Sequence, residues 1–136
     1  MATRLASSAV ALAMIGAVAA AHAAEDPLQE PLYEICLSQD AGWIGKSDAE
    51  IKANCTCKAK TEAEMASPEF RDAILKKGAY EGGSFPFGDY EQYQRRVLTD
   101  CPKLQPLMIE ALCGDPAAPP DCRAALEDMI GKLKSD

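Results

Sequence analysis

The chain has 136 residues, of which 14 are lysine or arginine, 21 are aspartate or glutamate and one is histidine, giving a formal net charge of −7. Nucleic acids and anionic lipid surfaces recruit clustered basic side chains, so this acidic balance argues against both as partners. The length fits a single domain.

Residues 1–23 have the three parts of a cleaved secretory signal peptide. Arg4 is basic, an apolar alanine-rich run covers Ala9–Ala21, and Ala21-His22-Ala23 is an A-x-A end. This run is too short and too weakly apolar for a membrane span, and no second run could form one. We therefore expect a single cysteine-rich helical domain over 24–136, exported to the periplasm of a bacterium or secreted, with a formal charge of −8.

The first two helices are predicted from apolar spacing and from a start signal. Apolar residues repeat at helical spacing from Leu28 to Cys36 and indicate a helix over Pro27–Ser38. Ser47-Asp48-Ala49-Glu50 has the hydroxyl and the carboxylate of a capping box. A second helix over 48–65 is therefore expected.

Two more helices have clear boundaries. Ser67-Pro68 places a capping hydroxyl before a proline, and Gly78 is a suitable end for the helix that follows. Residues 79–88 form a loop with three glycines and three aromatic residues. Asp89 is expected to cap a fourth helix that ends before Pro102.

The last two helices are predicted from apolar faces. Pro106 should open the fifth, because a proline inside a helix costs about 3 kcal/mol, and the sixth should start near Asp121. No useful strand pattern occurs, so the fold class is all-α: a compact disulfide-stapled bundle of five to six short helices. The predicted core faces are Leu107, Met108, Ala111 and Leu112 on the fifth helix, and Cys122, Ala125, Leu126, Met129, Ile130 and Leu133 on the sixth.

An even number of cysteines in a short exported chain predicts a disulfide framework. Cys55 and Cys57 lie two residues apart in a predicted helix, so they point to opposite sides and should bond different partners. The six cysteines are Cys36, Cys55, Cys57, Cys101, Cys113 and Cys122.

One bridge is favoured by its position in the sequence. Cys113 and Cys122 flank a proline-rich turn and would join the last two helices. The other four cysteines leave two solutions: Cys36–Cys55 with Cys57–Cys101, or Cys36–Cys57 with Cys55–Cys101. We prefer the first, because Cys55 lies nearer the start of its helix and so closer to the end of helix one.

The only histidine lies in the predicted signal peptide, so the mature chain has none. Catalysis by Ser-His-Asp or Cys-His, and zinc or copper sites that need histidine, are thereby excluded. No phosphate-binding glycine motif occurs, and the scattered carboxylates are typical of a solvated surface. We therefore predict that the protein is not an enzyme, and we assign it no catalytic residue, metal ligand or cofactor.

Three aromatic residues in glycine-containing connections are candidate partner-binding residues: Trp43, Phe85 and Phe87. Such side chains either fold back over the core or remain exposed to receive a partner. If Trp43 and the Phe85-Pro86-Phe87 segment share one face, a partner site is the favoured interpretation.

These observations support three functional hypotheses. The first is an exported non-catalytic protein-binding or accessory module of the cell envelope. The second is a carrier that encloses an apolar small molecule or lipid within the helices. The third is a thiol redox or Cu(I)-handling protein that uses Cys55 and Cys57, which would require free thiols.

Overall fold

The computed structural model describes residues 25–135, and the predicted signal peptide lies outside this range. No strand occurs between residues 25 and 135, which confirms the all-α prediction. Six helices follow one another: α1 (Gln29–Gln39), α2 (Asp48–Met65), α3 (Pro68–Lys77), α4 (Tyr90–Asp100), α5 (Leu104–Cys113) and α6 (Cys122–Ser135).

Side-chain caps begin three of these helices, as the sequence predicts. The Ser47 hydroxyl accepts a hydrogen bond from the Glu50 amide at 3.2 Å, and the Glu50 carboxylate accepts one from the Lys46 amide at 2.7 Å. Ser67 and Asp89 accept equivalent bonds at the starts of α3 and α4. Each bond satisfies an amide that has no partner within its helix.

Two predicted helix starts are wrong by two residues. The first helix begins at Gln29 rather than Pro27, because the Asp26 side chain accepts the Leu28 amide and holds a turn before the helix. The fifth begins at Leu104, so that Pro106 is its third residue rather than its first. A proline is tolerated there because amides of the first turn have no helical partner.

The longest helix, α2, packs against α1 on one side and α4 on the other. Its two cysteines form disulfides in these two directions, Cys36–Cys55 with a Cα–Cα distance of 5.6 Å and Cys57–Cys101 with one of 5.9 Å. Cys113–Cys122 joins α5 to α6. All three preferred pairs are confirmed, and α2 is fixed to two neighbours by covalent bonds.

The buried apolar side chains form two clusters. One surrounds the disulfides of α2 and includes Ile44, Val97, Leu98 and Leu104. The other joins α1, α2, α3 and the α3–α4 loop, and its buried members are Leu28, Leu32, Ala59, Ala63, Phe70, Ile74 and Phe87.

The predicted core faces of α5 and α6 are wrong in part. On α5 the buried side chains are Leu104 and Ile109, while Leu112 is 56 % exposed. On α6 Ile130 is buried, but Met129 is 40 % exposed. Both helices are apolar on the predicted side, but other helices cover that side only in part.

No helix between residues 25 and 135 combines the length and the apolar character that crossing a bilayer requires.

Candidate partner-binding groove

Two of the three residues predicted as partner contacts lie in one surface groove. Trp43, from the α1–α2 connection, and Phe85, from the α3–α4 loop, both line it. Phe87 is only 8 % exposed and belongs to the second core cluster, so its side chain is not available to touch a partner. The loop therefore adopts both arrangements considered from sequence, one ring folded inward and one left outside.

The groove lies between α4 and α5 and has a volume of about 470 Å³. Tyr90 and Leu112, which lie on opposite walls, are both more than half exposed, so the groove is open to solvent. A second depression of about 250 Å³ extends it towards α6. The two share Gln94, Leu98 and Met108 and therefore form one continuous surface.

A larger depression of about 590 Å³ lies at the C-terminal end of α3. Charged residues such as Glu69, Asp72 and Lys76 make up much of its lining, together with alanine, glycine and one aromatic residue, Tyr80. Binding sites in proteins are typically lined by apolar and aromatic side chains with few polar groups. The groove between α4 and α5 fits that description, and the larger depression does not.

Ring contacts hold the aromatic wall of the groove in place. Phe85 packs edge-on against Tyr90 and Tyr93, with centroid distances of 5.2 and 5.1 Å. Phe87 stacks on Tyr93 from the core side at 5.1 Å. Such geometries each add about 0.5–1.5 kcal/mol beyond apolar burial. Phe87 thus supports the aromatic wall although it does not line the groove.

Four ionisable residues form a polar cluster at the base of the groove: Asp40, Lys58, Glu62 and Tyr93. The Lys58 ammonium forms ion pairs with Asp40, at 3.1 Å, and with Glu62. The Tyr93 hydroxyl donates to the Glu62 carboxylate at 3.4 Å. On the other side, the Trp43 indole N–H donates to Asp40 at 3.0 Å. The cluster therefore connects the two aromatic residues on either side of the groove through three charged groups.

Burial changes the proton affinities in this cluster. It raises the pKa of the Glu62 carboxyl, although the adjacent Lys58 ammonium acts in the opposite direction. It also raises the pKa of the Tyr93 phenol. Burial opposes charge on Lys58, but the interactions with Glu62, Tyr93 and Asp40 together exceed this effect and raise the pKa of Lys58. Lys58 is therefore an ammonium at neutral pH and lacks the free lone pair of a catalytic amine nucleophile.

Sequence reasoning did not find the polar cluster. Lys58 and Glu62 are one helical turn apart on α2, a spacing at which opposite charges pair. This spacing is the sequence feature that could have indicated the cluster. Asp40 and Tyr93 come from other elements, and no local pattern links them to α2. Met108 and Leu112 were found as an apolar face but were assigned to the core rather than to the groove.

The cysteines and carboxylates do not add a second kind of site. Cys55 and Cys57 are both in disulfides, as are the other four cysteines, so the structure holds no thiol. Among residues 25–135 there is no group of three or more histidine, cysteine, aspartate or glutamate residues placed to hold a metal ion.

The fold and the groove define a disulfide-stapled helical bundle with an open apolar groove on its surface. No protein family, curated protein or solved structure matches the chain significantly. The functional argument therefore rests on the residues of the groove.

Proposed function

We propose that the protein is an exported, non-catalytic protein-binding module, and that the groove between α4 and α5 receives apolar side chains of its partner. The observation that carries this proposal is the exposed apolar surface formed by Phe85, Tyr90 and Leu112. A contiguous exposed apolar patch on a small domain, unlike a single exposed apolar side chain, is characteristic of a site that another molecule covers. The three disulfides are compatible with export to an oxidising compartment.

The residue types of the groove support a protein partner. Tryptophan and tyrosine are enriched among the residues that contribute most to protein–protein affinity, since they bury a large area and lose little conformational entropy. Trp43 and Tyr93 are also held by hydrogen bonds, to Asp40 and Glu62 respectively. A preorganised surface of this kind loses less entropy when a partner binds.

Capture from the native envelope tests the proposal. Leu112→Asp places a charge in the groove and should reduce partner recovery at least about tenfold, which corresponds to about 1.4 kcal/mol. The matched control is Leu75→Asp, because Leu75 is also exposed but lies on α3, which contributes no residue to the groove. Recovery of the same partner by wild type and both variants would contradict the proposal.

A carrier of an apolar small molecule is the second candidate. The groove volume of about 470 Å³ falls within the range of small-molecule sites. Its open side leaves part of any such ligand in water, which favours the protein partner. Mass spectrometry of solvent extracts from the exported protein separates the two, because a carrier should yield a stoichiometric lipid or apolar compound and a binding module should not.

The redox or Cu(I) hypothesis requires a free thiol at Cys55 or Cys57. Both residues are cross-linked in the structure, so nothing in the groove or the disulfide framework supports it.

A further inference from the structure

The polar cluster carries more negative than positive charge. Asp40 and Glu62 both pair with the single Lys58 ammonium. Three basic residues lie near the groove or line its extension, and each pairs with a carboxylate: Lys46 with Glu110 at 3.1 Å, Arg95 with Glu91 at 3.0 Å and Lys132 with Asp128 at 2.9 Å. An incoming cation would therefore meet a net negative charge at the base of the groove.

Asp40 is the carboxylate of the cluster that a partner can reach. Its side chain is 22 % exposed and it lines the groove, whereas the Glu62 side chain is 7 % exposed and does not. One Asp40 oxygen accepts the Trp43 indole N–H, and the other pairs with Lys58. A carboxylate has about four lone-pair sites, so Asp40 keeps capacity for a further hydrogen bond from outside.

Aromatic rings surround the approach to Asp40. Trp43, Phe85 and Tyr90 all line the same groove. A guanidinium or ammonium group is attracted to the face of such a ring. Apolar side chains of Met108 and Leu112 continue the surface on the α5 side. The groove thus combines one anionic position with a longer apolar surface.

We infer that the occupant of the groove is an amphipathic segment of a partner protein, and that an arginine or lysine of this segment pairs with Asp40. This inference rests on the proposed function. The apolar side chains of the segment cover the surface from Phe85 and Tyr90 to Leu112, and its basic side chain lies among the rings beside Trp43. Charge complementarity with this acidic chain also favours a basic partner over a second copy of the same chain.

Two synthetic peptides of about 14 residues test the inference, a length near the minimum for an isolated helix. Both carry leucines on one helical face, and the polar positions are arginine in one and glutamate in the other. Trp43 is the only tryptophan of the chain, so its fluorescence reports occupancy of the groove directly. The mature protein should bind the arginine peptide at least about tenfold more tightly at low salt. This preference should shrink in about 0.5 M salt, where exposed charges are screened.

Asp40→Asn should reduce the preference for the arginine peptide, and Asp72→Asn is the matched control. Asp72 is an exposed carboxylate on α3, so its loss changes the net charge equally without changing the groove. Thermal unfolding shows whether the Asp40 variant is folded. If it is not, Asp40→Glu replaces it, because this variant moves the carboxylate without changing the net charge and should also weaken the preference.

Several results would overturn the inference. If both peptides bind with equal affinity and Leu112→Asp abolishes this binding, the groove is the binding site but a basic side chain is not required. Binding that survives Leu112→Asp would contradict the groove itself. No binding of either peptide, or self-association abolished by Leu112→Asp, would each show that a basic amphipathic segment is not the occupant.

Discussion

At the scale of single residues, the ion pairs differ in how much they contribute to the stability of the protein. Lys76–Asp72 is a solvent-exposed pair within one helix, and such pairs contribute about 0.3–0.5 kcal/mol. Arg71 instead forms two bonds to Asp26, at 2.6 and 2.7 Å, and one to the Ala63 carbonyl at 2.7 Å. A bidentate pair in a fixed geometry is stronger than a single exposed contact, so Asp26 and Arg71 connect the beginning of the described chain to α2 and α3.

The Asp26 carboxylate should make stability depend on pH. Hydrogen bonding to Arg71 lowers the pKa of Asp26 in the folded protein. The stabilisation is therefore fully present above the unfolded-state pKa of about 3.9 and is lost as pH falls through the lower folded-state pKa. Asp26→Asn keeps an acceptor for the Leu28 amide but removes the charge. Because the pair is partly exposed, we expect a loss of about 1 kcal/mol at pH 7 by urea unfolding.

The pH profile distinguishes this charge effect from a general loss of packing. The difference between wild type and Asp26→Asn should shrink as the pH approaches the folded-state pKa. Asp72→Asn, which removes an exposed pair, should stay within about 0.5 kcal/mol of wild type. A difference between wild type and Asp26→Asn that stays constant from neutral to acidic pH would contradict the account.

At the scale of the helix, the sequence predicted what local chemistry determines. The caps Ser47, Ser67 and Asp89 depend on the few residues that follow them. The opposite directions of Cys55 and Cys57 exclude a bond between them, and the position of Cys55 nearer the start of α2 favoured the observed pairing with Cys36. The apolar faces of α5 and α6 were predicted, but their exposure was not. Periodicity shows which side of a helix is apolar, whereas coverage of that side depends on distant elements.

The contribution of each disulfide to the stability of the helical bundle can be tested separately. Cys57–Cys101 spans 44 residues and Cys113–Cys122 spans 9. Loop-closure entropy therefore predicts about 4 kcal/mol of stabilisation for the first and about 2.7 kcal/mol for the second. Urea unfolding of the two paired cysteine-to-alanine variants should show the larger loss for Cys57→Ala with Cys101→Ala. The opposite order would contradict the role assigned to α2 as the doubly fixed helix.

The Cys57–Cys101 bridge also bears on the groove. Lys58 of the polar cluster follows Cys57 directly, and Cys101 lies between α4 and α5, the two helices that form the walls. The same variant should therefore shift the emission of Trp43, while Cys113→Ala with Cys122→Ala should change it less.

At the scale of the whole molecule, the disulfides and the groove depend on the same arrangement. Helix α2 is fixed to α1 and α4. At the base of the groove its Lys58 pairs with Asp40 of the α1–α2 connection, and its Glu62 accepts a hydrogen bond from Tyr93 of α4. The Trp43 side and the α4 side of the groove thus gain a defined separation. Trp43 and Phe85, far apart in the sequence, lie on one groove because of this arrangement.

Site-specific photo-crosslinking in the native envelope tests the central claim most directly. Benzoyl-phenylalanine replaces Phe85 in the groove or, as a control, the exposed Leu75 on α3. We predict that the probe at position 85 gives one dominant crosslinked species, with the same mass in repeated experiments, and that the probe at position 75 does not. Crosslinking to the same protein from position 75 alone, or none from position 85, would contradict the assignment of the groove as the binding site.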